Sequence, residues 1–300
     1  MALDGITIAN IVYELNETLL EGRIYKIAQP ENDELLITVK NKSSQYRLLI
    51  SAGASLPFLY LTEQNKQSPM TAPNFCMLLR KHIQNGRIIS ITQPSLERII
   101  SMEIEHLDEM GDLCRKKLVI EIMGKHSNII FLNDQNVIID SIKHISGAVS
   151  SVREVLPGHD YFIPQTQDKQ DPLAIVETNE ADASKLFKDT LMGKSITLAK
   201  ALYSSYTGIS PTIAEELCYR AQIDSSLPSS VLTEESSLHL FHHLLWLMQE
   251  VKEHKFAPNI IFEQDMPVEF ASVHLSQYTG SVIKDYDSIS LVLETYYAKR

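Results

Sequence analysis

A chain of 300 residues is longer than one small core needs and suits two or three packed units. Its 44% hydrophobic and 22% charged content is ordinary for a folded protein, and no apolar run approaches the roughly 18 residues of a membrane span. The formal net charge of −11 excludes steering to nucleic acid by the field of the whole chain, and the acidity is uneven: residues 1–166 carry 16 Lys and Arg against 19 Asp and Glu, residues 167–300 carry 11 against 19. The start, MALDGITIAN, has neither the basic nor the apolar segment of a secretory signal. Cys76, Cys114 and Cys218 are odd in number and far apart, which argues against a disulfide framework or a zinc site. A cytoplasmic protein without metal or cofactor is expected.

Residues 4–20 predict a helix with a stripe of Ile8, Ile11, Val12, Leu15 and Leu19, stopped at Gly22. Strands are expected over RIYKIAQ, ELLITVK and QYRLLIS, with NKSS as the turn between the last two. Pro73 and Asn74 open a second helix striped by Phe75, Leu78, Leu79, His82 and Ile83, which Gly86 ends. Five more strand-like runs come next: RIISITQ, RIISMEIEHL, KKLVIEIM, NIIFLN and NVIIDSI. The segment GRIISITQP repeats GRIYKIAQP at an offset of 64 residues, each copy after a helix. The chain is therefore expected to be duplicated, each half a helix followed by an antiparallel meander, packed as one sheet sandwich.

After the polar linker TQDKQDP the pattern turns helical from 171 to 222. One long amphipathic helix over 231–255 carries Leu238, Phe241, Leu244, Leu245, Met248 and Val251. Residues 258–275 predict a β-hairpin returning to the first domain's sheet, and a last helix near the end has no cap, so the natural chain is expected to continue. The domains are thus 1–170, β-rich; 171–230, helical; and 231–300, helix, hairpin and final helix.

Four stretches could carry chemistry. Glu97-Arg98 sits where a turn made by Gln93-Pro94 enters a strand, and it occurs only in the second repeat copy. An Arg fork suits phosphate, with the carboxylate positioning it; a solvated surface pair is the plainer reading. EIMGKHSNII puts Lys125, His126, Ser127 and Asn128 on a Gly-containing loop tip, either an anion cradle or an ordinary hairpin turn. LYSSYTGISPTIAEEL places Gly208 and Ser210 between two helices like a helix-hairpin-helix, which aims amides at phosphate; Glu215-Glu216 close behind favour a purely structural helix pair. SSVREVLPGHDYFIP makes a rigid turn with Arg153 at its entry, or a domain seam. Arg23, Arg87, Lys143 and the runs Arg80-Lys81-His82, Arg115-Lys116-Lys117 and Lys125-His126 are further local phosphate contacts.

With LDGITI, GRIYKIAQP, QPSLERII, EIMGKHSNII, SIKHI and REVLPG in hand, the chain resembles the N-terminal part of the NFACT family, whose bacterial members are RqcH proteins, also called fibronectin-binding protein A homologues. The resemblance spans essentially all 300 residues. It implies an α+β fold: an N-terminal domain similar to that of formamidopyrimidine-DNA glycosylases, then a helix-hairpin-helix unit. It also implies a ribosome quality control role. Such proteins bind a split large ribosomal subunit still carrying peptidyl-tRNA and recruit tRNA, alanyl-tRNA in bacteria, for template-free tailing of the stalled chain. The family's acid–Arg pair for tRNA recruitment falls on Glu97 and Arg98, with Glu where Asp is usual. The loop Lys125, His126, Ser127 and Asn128 is carried over as an RNA contact. Glycosylases of the similar fold attack with a proline directly after the removed Met; this chain has Ala2 and no GxxxxGK[ST], GxGxxG or HExxH, so no enzyme activity is expected. The rival reading is a cell-surface adhesin with fibronectin as partner.

Overall fold

A computed structural model of the chain describes residues 3–164 and 168–299. Met1, Ala2, the start of the polar linker (residues 165–167) and Arg300 lie outside the described residues. Helix α1, Gly5–Leu19, starts where Asp4 Oδ1 accepts from the Thr7 amide at 2.8 Å, and it buries Ile8, Ile11, Leu15 and Leu19. Strands β1 (Arg23–Glu31), β2 (Glu34–Asn41), β3 (Ser44–Ser51) and β4 (Phe58–Thr62) come after it. Then come α2 (Asn74–Ile83), β5 (Arg87–Thr92), β6 (Ile99–Leu107), β7 (Leu113–Glu121), β8 (Asn128–Leu132) and β9 (Ile138–Ser141). All nine strands form one antiparallel sheet in the order β4-β3-β2-β1-β5-β6-β7-β8-β9. In α2 the buried face takes Cys76 in place of Leu78, a small rotation from the expected stripe.

The sequence repeat is a local two-fold. Arg23 pairs with Arg87 at the β1–β5 junction, the single registered pair between those strands. Around it the backbone bonds come in matched sets: Ile24 donates to Gly86 and Ile88 to Gly22, both at 2.9 Å, while Asn85 donates to Ile24 at 2.7 Å and Glu21 to Ile88 at 2.8 Å. Glu21 and Asn85 both turn through the left-handed region, at φ 72° and 70°. Even the helix-to-strand contacts are exchanged. Asn16 of α1 donates to Ile91 O of β5, and Arg80 of α2 donates to Ile27 O of β1. Each half therefore satisfies backbone carbonyls of the other, which ties the halves into one unit. Inward residues of both half-sheets, Ile27 and Ile37 with Ile91 and Ile120, join α1 and α2 in one core.

The helical part contains α3 (Ala174–Glu177), α4 (Glu180–Met192), α5 (Leu198–Ser205), α6 (Pro211–Arg220) and α7 (Glu234–Lys252) around a second core of Phe187, Leu202, Tyr206, Ile213, Phe241 and Met248. Ile6 of α1 and Leu96 belong to this second core, so the two units share apolar contacts. Leu238 is exposed and Leu240 is buried, again a small rotation of the expected face. The hairpin, β10 (Asn259–Glu263) and β11 (Met266–Ala271), does not join the nine-stranded sheet. It pairs with β12 (Val282–Asp285), a strand the sequence did not suggest, and reaches the first core through Ile260, Phe262 and Phe270. One edge of the large sheet is already covered: α8, Ile289–Tyr297, lies along β4, with the Leu61 amide donating to Ser290 Oγ at 2.9 Å. Among the described residues no helix is long and apolar enough to cross a membrane.

Candidate functional site

The loop between β5 and β6 carries Glu97 and Arg98. Gln93 Nε2 donates to Gly5 O at 3.0 Å and to Glu97 O at 2.9 Å, the Glu97 amide donates to Pro94 O at 3.0 Å, and the Ile122 amide donates to Arg98 O at 2.9 Å. The backbone of the pair is therefore pinned from three sides while both side chains are left free to project. The matching Gln29 of the first copy instead donates to Asn32 O and closes the β1–β2 turn on itself. The same Gln-Pro start thus makes a short hairpin in one half and a cleft wall in the other.

The turn between α5 and α6 closes against this loop. Gly208 has φ 82°, and its carbonyl accepts from the Gly5 amide at 3.1 Å. A Cβ on Gly5 would lie 2.0 Å from Leu96 O and 2.7 Å from Gly208 Cα, so three backbones meet where only glycines fit. Ser210 caps α6 and donates to Asp4 Oδ2 at 2.9 Å, so its hydroxyl serves the protein and is not offered to a phosphate.

A third wall is the 3₁₀ turn at Gly124–His126. Ser127 Oγ donates to Gly124 O and accepts from the Met123 amide; Asn128 Nδ2 donates to Lys143 O, and its Oδ1 accepts from the Lys143 and Ile129 amides. These two side chains are buried struts, which leaves Lys125 and His126 at the rim. Arg153 forms the fourth side from behind: it pairs with fully buried Glu121, which also accepts from Tyr161 Oη at 2.8 Å, and donates to Phe162 O at 2.7 Å.

Together these walls enclose a cavity of about 750 Å³, within the range of small-molecule or nucleotide sites, lined among others by Glu97, Arg98, Lys125, His126, Lys169 and Gly208. Among the described residues neither Arg98's guanidinium nor Lys169's ammonium makes a hydrogen bond or ion pair. Burial lowers the pKa of both, and for Lys169 the nearby Arg98 lowers it further; Asp4 and Glu97 oppose the shift at Arg98. Burial raises the Glu97 carboxyl against the pull of Arg98 and Lys169. Partly desolvated, mutually repelling cations that form no ion pair among the described residues are an arrangement that an anionic group stabilises.

The side chains of Arg23, Arg87 and Lys143 do not line the cleft. Arg87 is paired with Glu21 at 2.5 Å and Glu105 at 3.0 Å; Arg23 donates to Asn85 O; the Lys143 ammonium is lowered by burial, with Asp33 opposing. The basic runs are largely committed as well. Arg80 bonds Ile27 O, Lys81 pairs with Glu109, Arg115 with Glu103 and Glu105, and Lys117 donates to Asn136. Nothing in the spacing marks Lys169 as a cleft residue or Asp4 as its charged neighbour: Lys169 sits in a polar linker with no period, and Asp4 stands at the start of the first helix.

Asp4 is buried against Ser210 and α1, and that burial raises its carboxyl, opposed by the bonds from Thr7 and Ser210. The folded state therefore binds the extra proton between the ordinary aspartate pKa and the raised one, and this group's contribution to stability falls as pH rises through that window. Asp4→Asn, which keeps an acceptor oxygen, is expected to remove that part of the slope. Chemical denaturation of both proteins across pH 4–8 checks it: parallel curves would contradict the burial of a charge here.

A family model described as the NFACT N-terminal and middle domains matches residues 4–300. The chain belongs to the NFACT family. It is 38% identical over 300 residues to the Rqc2 homolog RqcH of Bacillus subtilis, an alignment covering 99% of this chain and 49% of that protein. It is 24% identical over 148 residues to the human ribosome quality control complex subunit NEMF, covering 49% of this chain and 13% of that one. Among solved structures it is similar to the N-terminal part of the fibronectin/fibrinogen-binding protein of Streptococcus suis, with TM-score 0.80, 26% identity and full coverage of both chains. This NFACT chain spans about half the length of its Bacillus subtilis relative.

Proposed function

We propose that the cleft is a tRNA-recruiting site of a ribosome quality control factor. On this reading the chain binds tRNA, alanyl-tRNA in bacteria, on a stalled large ribosomal subunit carrying peptidyl-tRNA, and it supports template-free tailing of the nascent chain. The observation that carries this reading is the Arg98 guanidinium, unpaired among the described residues and backbone-fixed beside Glu97 and Lys169 in a cavity of nucleotide size. Arg98 would fork a phosphate or a base edge, and Glu97 would accept from a ribose hydroxyl or an exocyclic amine. Lys125 and His126 at the rim would meet the backbone. The chain would act as a non-enzymatic, cytoplasmic module, with peptide transfer left to the ribosome.

The test compares wild type with Arg98→Ala, each in the full-length natural protein expressed in its own kind of cell, crosslinked, and its RNA sequenced. A tRNA species enriched by wild type is expected to fall about 10- to 100-fold in the variant, with large subunits still co-sedimenting. Equal RNA recovery would dismiss the cleft as a tRNA site. The similar structures from Streptococcus suis and Streptococcus pneumoniae are named for fibronectin binding, which favours a second reading. Retention of this chain on immobilised fibronectin, undiminished by Arg98→Ala, would support that reading instead.

A further inference from the structure

The outward face of β1, β2 and β3 is a second cationic surface. Arg23 stands opposite Lys40, which stands opposite Gln45; Lys26 stands opposite Thr38, which stands opposite Arg47. A β-bulge between Ile24 and Lys26 turns Tyr25 and Lys26 outward in succession, and both are exposed. Lys42, at φ 57° in the β2–β3 turn, adds a fifth cation. None of the five has an acidic partner among the described residues: Arg23 and Arg47 donate to the Asn85 and Glu63 carbonyls, and Lys40 Nζ lies 3.5 Å over the Tyr25 ring.

The duplication supplies the comparison. In the second half Arg87 takes the place of Arg23, but Glu105 stands opposite it where the first half has Lys40, and Glu103 stands where the first half has Thr38. Arg87 and Arg115 are both neutralised there, at 3.0 Å to Glu105 for the first and 3.5–3.7 Å to Glu105 and Glu103 for the second. One scaffold thus carries one balanced face and one unbalanced face, and like charges directly opposed on a sheet are unfavourable unless something else meets them. In a chain of net charge −11 this is a local field of the opposite sign.

We propose that this face of β1–β3 binds the sugar–phosphate backbone of RNA, as a surface separate from the cleft. The choice of RNA over other polyanions rests on the tRNA reading of the cleft; the surface itself does not. β6 runs from the cleft at Arg98 to Glu105 beside Arg87 and Arg23, so the two sites are spaced by about one strand length, roughly 25 Å, which a single structured RNA can span. Arg23, Lys26, Lys40, Lys42 and Arg47 meet phosphates, and Tyr25 offers an aromatic edge to a ribose or base.

The experiment measures anisotropy of a fluorescein-labelled, blunt 20-base-pair RNA duplex, which has no loop to enter the cleft, against salt from about 20 to 200 mM. Wild type is expected to bind with a steep salt slope. Lys40→Glu/Arg47→Glu is expected to lose about tenfold or more at 50 mM salt and to flatten the slope by about two, near one per lost phosphate contact. The Lys40→Glu change places an acid opposite Arg23, as the second half does at Arg87, so the sheet is expected to stay folded; Lys26→Gln/Lys42→Gln, at exposed positions, gives a second, milder pair. Arg98→Ala is expected to leave duplex binding unchanged. The proposal is overturned if wild type fails to bind the duplex at 20 mM salt, if both double variants match wild type, or if phosphatidylserine vesicles are bound and the duplex is not. Should Arg98→Ala keep its tRNA in cells while the face variants lose the duplex, the cleft reading falls and this one stands.

Discussion

Gly5→Ala is expected to loosen the join between the helical unit and the sheet, at a cost of about 3 kcal/mol or more. The added methyl would sit 2.0 Å from the Leu96 carbonyl oxygen and 2.7 Å from Gly208 Cα, and both neighbours are backbone, so no rotamer change relieves it. Either α1 retreats from the turn at Gly208 or the Leu96 loop shifts. In both cases the 3.1 Å bond from the Gly5 amide to Gly208 O is broken, together with the Asp4–Ser210 contact beside it. Ile6 and Leu96, buried in the second core from this side, are drawn out with it. The variant should therefore melt earlier and exchange the amides of residues 5–8 and 208–213 faster. Gly111→Ala is the control: its φ of 82° is strained for a side chain, but nothing lies within 4 Å, so about 1 kcal/mol is expected. If Gly5→Ala melts and exchanges like the parent, these three segments do not meet. Because Leu96 adjoins Glu97 and Arg98, the same variant should also weaken RNA recovery, which ties the integrity of the join to the cleft.

The sheet domain was legible because its signals are local: helix stripes, glycine stops, β-branched runs and a repeat whose equivalent residues meet across β1 and β5. The hairpin was legible as a hairpin, but not its partner, since β12 is only four residues long. Side-chain type alone does not show which polar atoms the fold already uses. Ser127, Asn128 and Ser210 look like ligands of phosphate, yet each spends its polar atoms on backbone or on Asp4, which no spacing rule reveals. Glu97 and Arg98 were legible because a turn before a strand projects the side chains at its exit. That the Arg98 guanidinium makes no hydrogen bond or ion pair among the described residues is a property of the assembled walls. Lys169 lines the cleft from a polar stretch without period, and the cations of β1–β3 stand out only in contrast with Glu103 and Glu105 of β6.

Arg153 shows how far a residue's use can lie from its appearance, and it carries the second large effect. Its guanidinium is spent on Glu121, whose side chain is 0% exposed, and on the Phe162 carbonyl, with the Tyr161 ring beside it. Arg153→Met leaves the Glu121 carboxylate in the interior with Tyr161 as its one side-chain donor among the described residues, so a loss of about 3–5 kcal/mol is expected, read as a lower midpoint in thermal or urea unfolding. Tyr161→Phe removes one bond to the same carboxylate and should cost less, about 1.5–3 kcal/mol. The double variant Glu121→Leu/Arg153→Met removes both charges, and it should regain most of what the single change loses, since the cost lies in the orphaned charge rather than in the missing pair. A double variant as unstable as Arg153→Met would instead mean that the pair itself holds this wall. Val152 and Val155, on either side of Arg153, line the cleft with Arg98, and the Ile145–Val155 bridge with the Asn128 clamp on Lys143 fixes the rest of that strip. On the tRNA reading, orphaning Glu121 should therefore reduce Arg98-dependent RNA recovery although the Arg153 guanidinium is committed to the protein. Recovery restored together with stability in the double variant would assign Arg153 to holding the wall, whereas a deficit persisting in a fully stable double variant would mean its charge is felt in the cleft.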